Sequence, residues 1–147
     1  MKRILVPLDM KTEPDAIARV VADAARGGGA MVRLLHVAPA PESVVDADGR
    51  LIAYASQEGD RLTAEAADYL RTVEAELDEV PVESTVRFGD PADEIVAEAE
   101  DFGADLIAFT TPRDIAFSRL ALCGTVARVW RRAAPAIMLL RPPALRG

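Results

Sequence analysis

The sequence predicts an α/β fold in which helices cover both faces of one open, parallel β-sheet, giving three layers. Short apolar runs alternate with amphipathic helical segments, a pattern typical of parallel strands joined by right-handed crossovers. Half of the 147 residues are hydrophobic and only 5% are aromatic, so Ala, Val, Leu and Ile are expected to form the core. The length fits one domain, residues 1–147, able to bury a core without disulfides.

The chain begins with a strand, a helix and a second strand. Residues 3–8 are apolar after the first position and end at Asp9, as expected of a buried strand. Thr12 is the expected cap of the next helix, because Pro14 suits a first helical turn. A glycine triplet ends that helix, and residues 31–37 form the second strand.

The middle of the chain contains its least regular part, residues 42–57. The turn signal at 46–49 favours a small hairpin, but an irregular loop and an early start of the next helix fit equally well. That helix carries apolar residues on one face from Leu62 to Leu77. Residues 82–88 then alternate between apolar and polar, which predicts a half-exposed edge strand.

Two helices and two strands complete the pattern. Asp90-Pro91 is a helix opening, with a capping acid before proline at the first helical position, and Gly103 ends the helix. Residues 105–109 are apolar after the first position, which predicts a central strand. A basic helix is expected from about 118 to 132, followed by a last strand at 136–140.

The charge pattern excludes some partners and leaves two interpretations of the C-terminal segment. A net charge of −7 argues against a nucleic-acid partner. From residue 111 onward, however, seven arginines stand against one acid. Either acidic and basic faces of the fold, or of two copies, attract each other, or the basic segment binds a small anion. The helix after Asp90 also carries an acidic cluster that we expect to be a solvated face: Asp93, Glu94, Glu98, Glu100 and Asp101.

Targeting and membrane signals are weak in this sequence. The apolar run after Arg3 is too short for a signal peptide, and no stretch approaches the length of a membrane span. Cys123 is the single cysteine, which suits a reducing compartment, and we expect it to be a small buried hydrophobe rather than a redox centre. These features predict a cytoplasmic protein.

The predicted topology also gives the place of any binding site. Ligands of open parallel sheets bind beyond the carboxyl ends of the strands, where the strand order reverses. In this chain the floor of that crevice would be Pro7-Leu8-Asp9, His36-Val37 and Thr110-Thr111. We find no phosphate-binding Walker loop, no metal-ligand spacing and no serine-hydrolase motif, so neither a catalytic residue nor a metal site is predicted.

Five segments, in order and over nearly the full length, resemble the universal stress protein family. The resemblance implies a five-stranded parallel sheet of order 3-2-1-4-5, of the Rossmann-like adenine-nucleotide alpha hydrolase type. It also implies a homodimer formed through the last strand, Ala136, Ile137, Met138, Leu139 and Leu140. The segments are residues 3–9, 34–37, 88–95, 103–107 and the stretch from Phe117 to Arg141.

The chain departs from the motif by which members of that family bind ATP. The motif resembles Gly-x-x-Gly, nine residues, then Gly-Ser or Gly-Thr, because glycines let backbone N–H groups surround phosphates. Aligned without gaps from Asp105, the two leading glycine places hold Thr110 and Arg113. Anchored on Gly124-Thr125, they hold Thr111 and Asp114. Both glycines are missing either way, and the loop is poorly suited to binding ATP.

For Asp9, Arg113 and Trp130 the sequence leaves two interpretations open, and for His36 and Val37 it favours one. Asp9 matches the position where a carboxylate approaches adenosine, but it could equally cap the following loop. His36 is expected to satisfy the core or a loop rather than to catalyse. Val37 would line an adenine pocket through its backbone. Arg113 is either a phosphate ligand that replaces backbone donors or a solvated side chain. Trp130 is expected to pack in the fold or at the dimer contact.

The sequence therefore predicts a non-enzymatic, dimeric stress-response protein that does not bind ATP tightly. It would act through a protein partner or by sensing a smaller ligand. The alternative is a regulator that binds ATP, ADP or AMP, with Arg113 and Thr125 in place of the glycine amides. The candidate nucleotide-binding residues are Pro7, Leu8, Asp9, Val37, Thr110, Thr111, Arg113, Gly124 and Thr125.

Overall fold

A five-stranded, all-parallel sheet forms the centre of the structure. The structure is a computed structural model that describes residues 2–26, 28–39, 44–45, 51–53, 55–110 and 124–142. The strands and helices, in chain order, are β1 (Arg3–Pro7), α1 (Pro14–Ala25), β2 (Met31–Ala38), β3 (Val44–Val45), β4 (Leu51–Ala53), α2 (Ala55–Ala75), β5 (Val82–Phe88), α3 (Pro91–Phe102), β6 (Leu106–Thr110), α4 (Thr125–Arg132) and β7 (Ala136–Leu140).

The strand order of the large sheet is β5-β2-β1-β6-β7. Counted over its five strands this is the predicted order 3-2-1-4-5. In register, Ile4 of β1 lies between Val32 of β2 and Leu106 of β6. The chain therefore leaves β1 toward one edge and returns to the other side of β1 at β6. Since this reversal separates the loops that follow β1 and β6, a crevice opens between them at the carboxyl ends of the strands.

Side chains of successive strand residues enter two separate cores. On one face, strand residues such as Ile4, Val6 and Leu34 pack against α1 and α2. On the other face, residues such as Leu5 and Ile107 pack against α3 and α4. All five of these side chains are buried. Because β1 and β6 are covered on both faces, their sequences are continuously apolar and do not alternate between apolar and polar residues.

Several element boundaries differ from the sequence-based expectation. The residue that precedes α1 is Glu13 and not Thr12, and no side chain caps this helix, although Pro14 does occupy its first turn as expected. The basic helix begins at Thr125, since Gly124 has the non-helical angles φ 93° and ψ −158°. The part of that prediction before Gly124 lies outside the described residues.

The irregular segment contains a short antiparallel hairpin. Val44 pairs with Ala53 and Val45 pairs with Leu51, as one of the three interpretations predicted. Helix α2 also begins early, at Ala55. The predicted turn between the two strands lies outside the described residues.

The acidic cluster of α3 is only partly the solvated face that the sequence analysis expected: Asp93, Glu100 and Asp101 are exposed, but Glu98 is buried. Glu98 is only 5% exposed and lies between Arg33 of β2 and Arg87 of β5, with N–O distances of 2.8 and 3.0 Å. Arg87 also reaches Glu94 and Asp101. The expectation was wrong for Glu98 because the two arginines lie on the sheet face that α3 covers, and the buried carboxylate neutralises them.

Helix α3 ends in a left-handed residue that brings the chain back to the sheet. Gly103 has φ 69°, and its N–H bonds the carbonyls of Ala99 and Glu100. Arg3 at the start of β1 donates from Nη1 to the carbonyl of Phe102 at 2.7 Å. Within the described part of the chain, none of the helices has the length and apolar character that crossing a lipid bilayer requires.

Candidate functional site

A crevice of about 500 Å³ opens at the carboxyl ends of the central strands. Its lining includes seven of the predicted site residues, while Thr111 and Arg113 lie outside the described residues. The seven are Pro7, Leu8, Asp9, Val37, Thr110, Gly124 and Thr125. Other residues also contribute to the wall: Lys11, Leu35, His36, Pro91, Ile95, Phe109 and Val126.

One wall of the crevice is the loop between β1 and α1, residues 8–13. Asp9 accepts the backbone N–H of Lys11 on Oδ1 at 3.0 Å, so its carboxylate does cap the loop. Met10 between them is left-handed, with φ 64°. Asp9 and Lys11, which carry opposite charges, are both lining residues of the crevice. The carboxylate keeps acceptor positions beyond the one that caps the loop.

Tyr69 of α2 fixes the same loop from the opposite side. Its hydroxyl donates to the carbonyl of Thr12 at 2.5 Å. Burial, with the charges of Asp9 and Glu13 nearby, raises the pKa of Tyr69 to about 12. The phenol therefore stays protonated at neutral pH and serves as a permanent hydrogen-bond donor.

His36 of β2 holds the end of β1. Its Nδ1 lies 2.8 Å from the carbonyl oxygen of Leu8. Because a carbonyl only accepts, Nδ1 carries a proton and donates it. Leu8 in turn donates its N–H to the carbonyl of Leu35 at 2.7 Å, which extends the ladder one residue beyond β1. This arrangement fits the predicted loop-satisfying role of the histidine.

The opposite wall is built from the starts of α3 and α4. Pro91 lies at the first position of α3, and Gly124-Thr125 at the start of α4. The start of α4 has no side-chain cap, so its unpaired N–H groups and partial positive charge suit an anionic group, whereas the start of α3 is already capped by Asp90.

Asp90 caps α3 and also binds α4. Its carboxylate accepts the N–H of Asp93 at 3.1 Å and two hydrogen bonds from Arg128. The hydrogen bond from Arg128, followed by that from the Asp93 N–H, holds the pKa of Asp90 below its usual value. Arg132 likewise pairs with Asp93. For these two arginines the interpretation that acidic and basic faces of the fold attract each other is confirmed.

Five of the lining residues that sequence analysis missed fall into three groups. Phe109 and Leu35 precede strand ends that were already assigned to the crevice, so the topology could have identified them. Pro91 and Ile95 belong to the first two turns of a predicted helix whose start lies at the same edge of the sheet. Lys11 had no comparable signal, because its direction depends on the left-handed turn at Met10.

A second cavity, of about 390 Å³, lies at the opposite end of the sheet. The ends of α1 and α2 border it, and Glu76, Asp78 and Glu79 are among its lining residues. Across the described ranges, no three His, Cys, Asp or Glu side chains are placed to hold a metal ion.

The edge strand β7 leaves apolar surface uncovered. Among the described strands, β7 pairs only with β6, and Met138 is 41% exposed. Trp130 of α4 is 69% exposed, so it does not pack within the fold, and the alternative, a position at the dimer contact, stays a prediction.

The sequence and the fold both match known proteins. The model of the universal stress protein family matches residues 1–141. No curated protein matches the sequence. The UspA universal stress protein from Lactobacillus plantarum superposes with a TM-score of 0.71 at 21% identity, over 95% of this chain and 97% of that protein.

Two further similar structures contain nucleotides. The universal stress protein from Archaeoglobus fulgidus in complex with dAMP has a TM-score of 0.60 at 16% identity, over 95% of this chain and 98% of that protein. A universal stress protein in complex with cAMP has a TM-score of 0.57 at 18% identity, over 94% of each chain.

Proposed function

We propose that this chain, which belongs to the universal stress protein family, is a non-catalytic stress-response protein. In this proposal it does not bind ATP tightly. It acts through a protein partner or by sensing a smaller adenine nucleotide, of which AMP is the simplest. A cytoplasmic location, suggested by the single cysteine, belongs to the same proposal.

The lining of the crevice carries this proposal. Among the described lining residues, Lys11 is the single Lys or Arg. A triphosphate carries several negative charges and usually needs a glycine cradle with many backbone donors. Here the sequence after Thr110 reads Thr-Pro-Arg-Asp, and Pro112 lacks an N–H. The wall therefore offers an adenosine-sized space of about 500 Å³ with modest capacity for phosphate.

The nucleotides in related structures support a small ligand. The relatives solved with dAMP and with cAMP each hold a nucleotide with one phosphate. In this chain Asp9 and Val37 line the crevice, where the resemblance assigns contacts to adenosine. The start of α4, Gly124-Thr125, belongs to the same lining and suits a single phosphate.

The edge strand supports a homodimer through Ala136–Leu140. An uncovered strand edge with apolar side chains invites pairing with another chain, and a second copy is the simplest cover. The exposure of Met138 is in line with such a contact. Sedimentation at micromolar concentration tests this part, and a monomeric mass would contradict it.

A second function is favoured by the position of Thr125. It lies at the first residue of α4 and in the crevice wall, where its hydroxyl and the helix N–H groups suit an anion. With Arg113 as a further ligand, the chain would bind ATP, ADP or AMP as a nucleotide-dependent regulator. In that case Arg113→Ala would remove most of the thermal stabilisation that ATP produces.

Extraction of the natively purified protein separates the two functions. We expect no stoichiometric ATP in the extract. We also expect thermal stabilisation by AMP at lower concentrations than by ATP, since a ligand at 100 times its Kd stabilises by about 2.7 kcal/mol. Stoichiometric ATP in the extract, or a larger shift with ATP than with AMP at equal concentration, would overturn the proposal.

A further inference from the structure

The loop between β1 and α1 places an acceptor and a cation side by side at the crevice. Asp9 and Lys11 are two residues apart, and both line the same cavity. A carboxylate that retains free acceptor positions suits the hydroxyls of a sugar. An ammonium group suits a phosphate, as a compact charge with three donors. A ligand that carries both groups would satisfy both side chains.

The loop is held in place before any ligand arrives. The Asp9 carboxylate binds the Lys11 N–H at 3.0 Å, and the Tyr69 hydroxyl binds the Thr12 carbonyl at 2.5 Å. These bonds lie on either side of the Lys11 Cα. The left-handed turn at Met10 is thereby maintained. Binding at Lys11 consequently has little backbone entropy to lose.

Two cations of α4 near this end of the molecule are already engaged. Arg128 and Arg132 of α4 bind Asp90 and Asp93. Within the part of the chain that the structure describes, Lys11 forms no ion pair with an acidic side chain. Its charge is therefore available to a ligand.

We propose that Lys11 binds the phosphate of a nucleoside monophosphate seated in the crevice and so determines the preference for the nucleotide over the nucleoside. This inference rests on the proposed function and deepens it. Asp9 faces the sugar hydroxyls in this arrangement, and the start of α4 offers N–H groups from the opposite wall. The ammonium charge of Lys11 neutralises part of the charge of one phosphate, which is about −2 at neutral pH.

The test compares adenosine with AMP on three proteins by isothermal titration calorimetry. Wild type should bind AMP about tenfold more tightly than adenosine, as expected for one charge-assisted contact. Lys11→Met keeps the aliphatic stem, so adenosine binding should be unchanged while AMP loses about tenfold in affinity. Lys2→Met removes an exposed lysine that precedes β1 and should behave as wild type.

The outcomes distinguish this inference from the proposed function. If Lys11→Met keeps the tenfold preference for AMP, or weakens AMP and adenosine equally, the inference is overturned while the proposed function stands. If Arg113→Ala abolishes the preference and Lys11→Met does not, the phosphate is bound by the other loop and the inference is again overturned. If wild type binds neither compound, both the inference and the small-nucleotide function fail. Thermal unfolding without ligand confirms that each variant is folded.

Discussion

Arg128 of α4 donates two hydrogen bonds to the carboxylate of Asp90, from Nη1 to Oδ1 at 3.0 Å and from Nη2 to Oδ2 at 2.8 Å. The same carboxylate caps α3 by accepting the N–H of Asp93. Because α3 and α4 both begin at the crevice, this pair holds two parts of one wall together. A paired arrangement of this kind is more directional than a single ion pair.

Acid should weaken the fold through Asp90. Its pKa lies below the ordinary value of 3.8 in the folded chain, so its contribution to stability is present above about pH 3.8. The contribution is lost as the pH falls through the lower folded-state pKa. Asp90→Asn should therefore reduce the loss of stability on acidification, measured by urea unfolding at successive pH values. Asp78→Asn, at an exposed position, is the control. An unchanged acid dependence in Asp90→Asn would contradict the prediction.

Glu98 should be the most sensitive acid of α3. Glu98→Gln leaves Arg33 and Arg87 without their shared buried carboxylate, and removing one partner of a buried ion pair is strongly destabilising. The arginine side chains are each 24% exposed, so we expect the low end of that range, about 3 kcal/mol. Chemical denaturation measures the change, with Glu100→Gln as the control on the exposed side of α3. Equal effects of both variants would refute a special role for Glu98.

The position of Glu98 shows what sequence analysis could have inferred and did not. Glu98 is three residues after Ile95 and four before Phe102, so helical spacing places it on the buried stripe. The prediction of a solvated face counted charges without this spacing. The partners were beyond reach, because Arg33 and Arg87 are distant in sequence and meet α3 only after the sheet has formed.

The sheet and the place of the crevice followed from the sequence for a physical reason. Strands buried on both faces must be apolar throughout, and the topology of parallel strands fixes where their ends meet. This logic gave Asp9, Val37 and Thr110. It could not give Lys11 or Tyr69, since a left-handed residue at Met10 and a tertiary hydrogen bond place them. Neither the left-handed backbone at Met10 nor the tertiary hydrogen bond of Tyr69 is encoded in local periodicity.

Gly103 should not tolerate a side chain. Its φ of 69° is left-handed, and an added Cβ would lie 3.3 Å from Nη1 of Arg3. Gly103→Ala should lose about 1–2 kcal/mol of unfolding free energy, mostly through backbone strain. Gly28→Ala is the matched control, because a Cβ there meets nothing within 4 Å. A comparable loss in both variants would show that the left-handed turn is not the cause.

Met138 should control self-association if β7 pairs with a second copy. Met138→Glu places a charge on the exposed edge strand, and in a symmetric dimer the two copies would bring like charges close together. Sedimentation should then show a shift from dimer to monomer at micromolar concentration. Asp78→Lys, at a position far from β7 in sequence, changes the net charge and should leave the dimer intact. An unchanged dimer in Met138→Glu would place the interface elsewhere.

Ionisation of the Tyr69 phenol should lower the free energy of unfolding in alkali. Its folded-state pKa of about 12 lies above the ordinary value of 10, so the folded chain retains the phenol proton longer than the unfolded chain. The stabilisation is fully present below about pH 10 and is lost as the pH rises toward 12. Tyr69→Phe should be less stable at neutral pH, because the hydrogen bond to the Thr12 carbonyl is missing, and less sensitive to alkali.

Phenolate absorbance provides a direct measurement, since the chain contains only two tyrosines. The titration step at about pH 12 should disappear in Tyr69→Phe and remain in Tyr54→Phe. Tyr69→Phe, in which Lys11 is unchanged, should also bind AMP more weakly than wild type. The loop that carries Lys11 then loses one of the two hydrogen bonds that hold it. Persistence of the high-pH step in Tyr69→Phe would show that the hydroxyl does not occupy the buried, acid-flanked position next to Asp9 and Glu13.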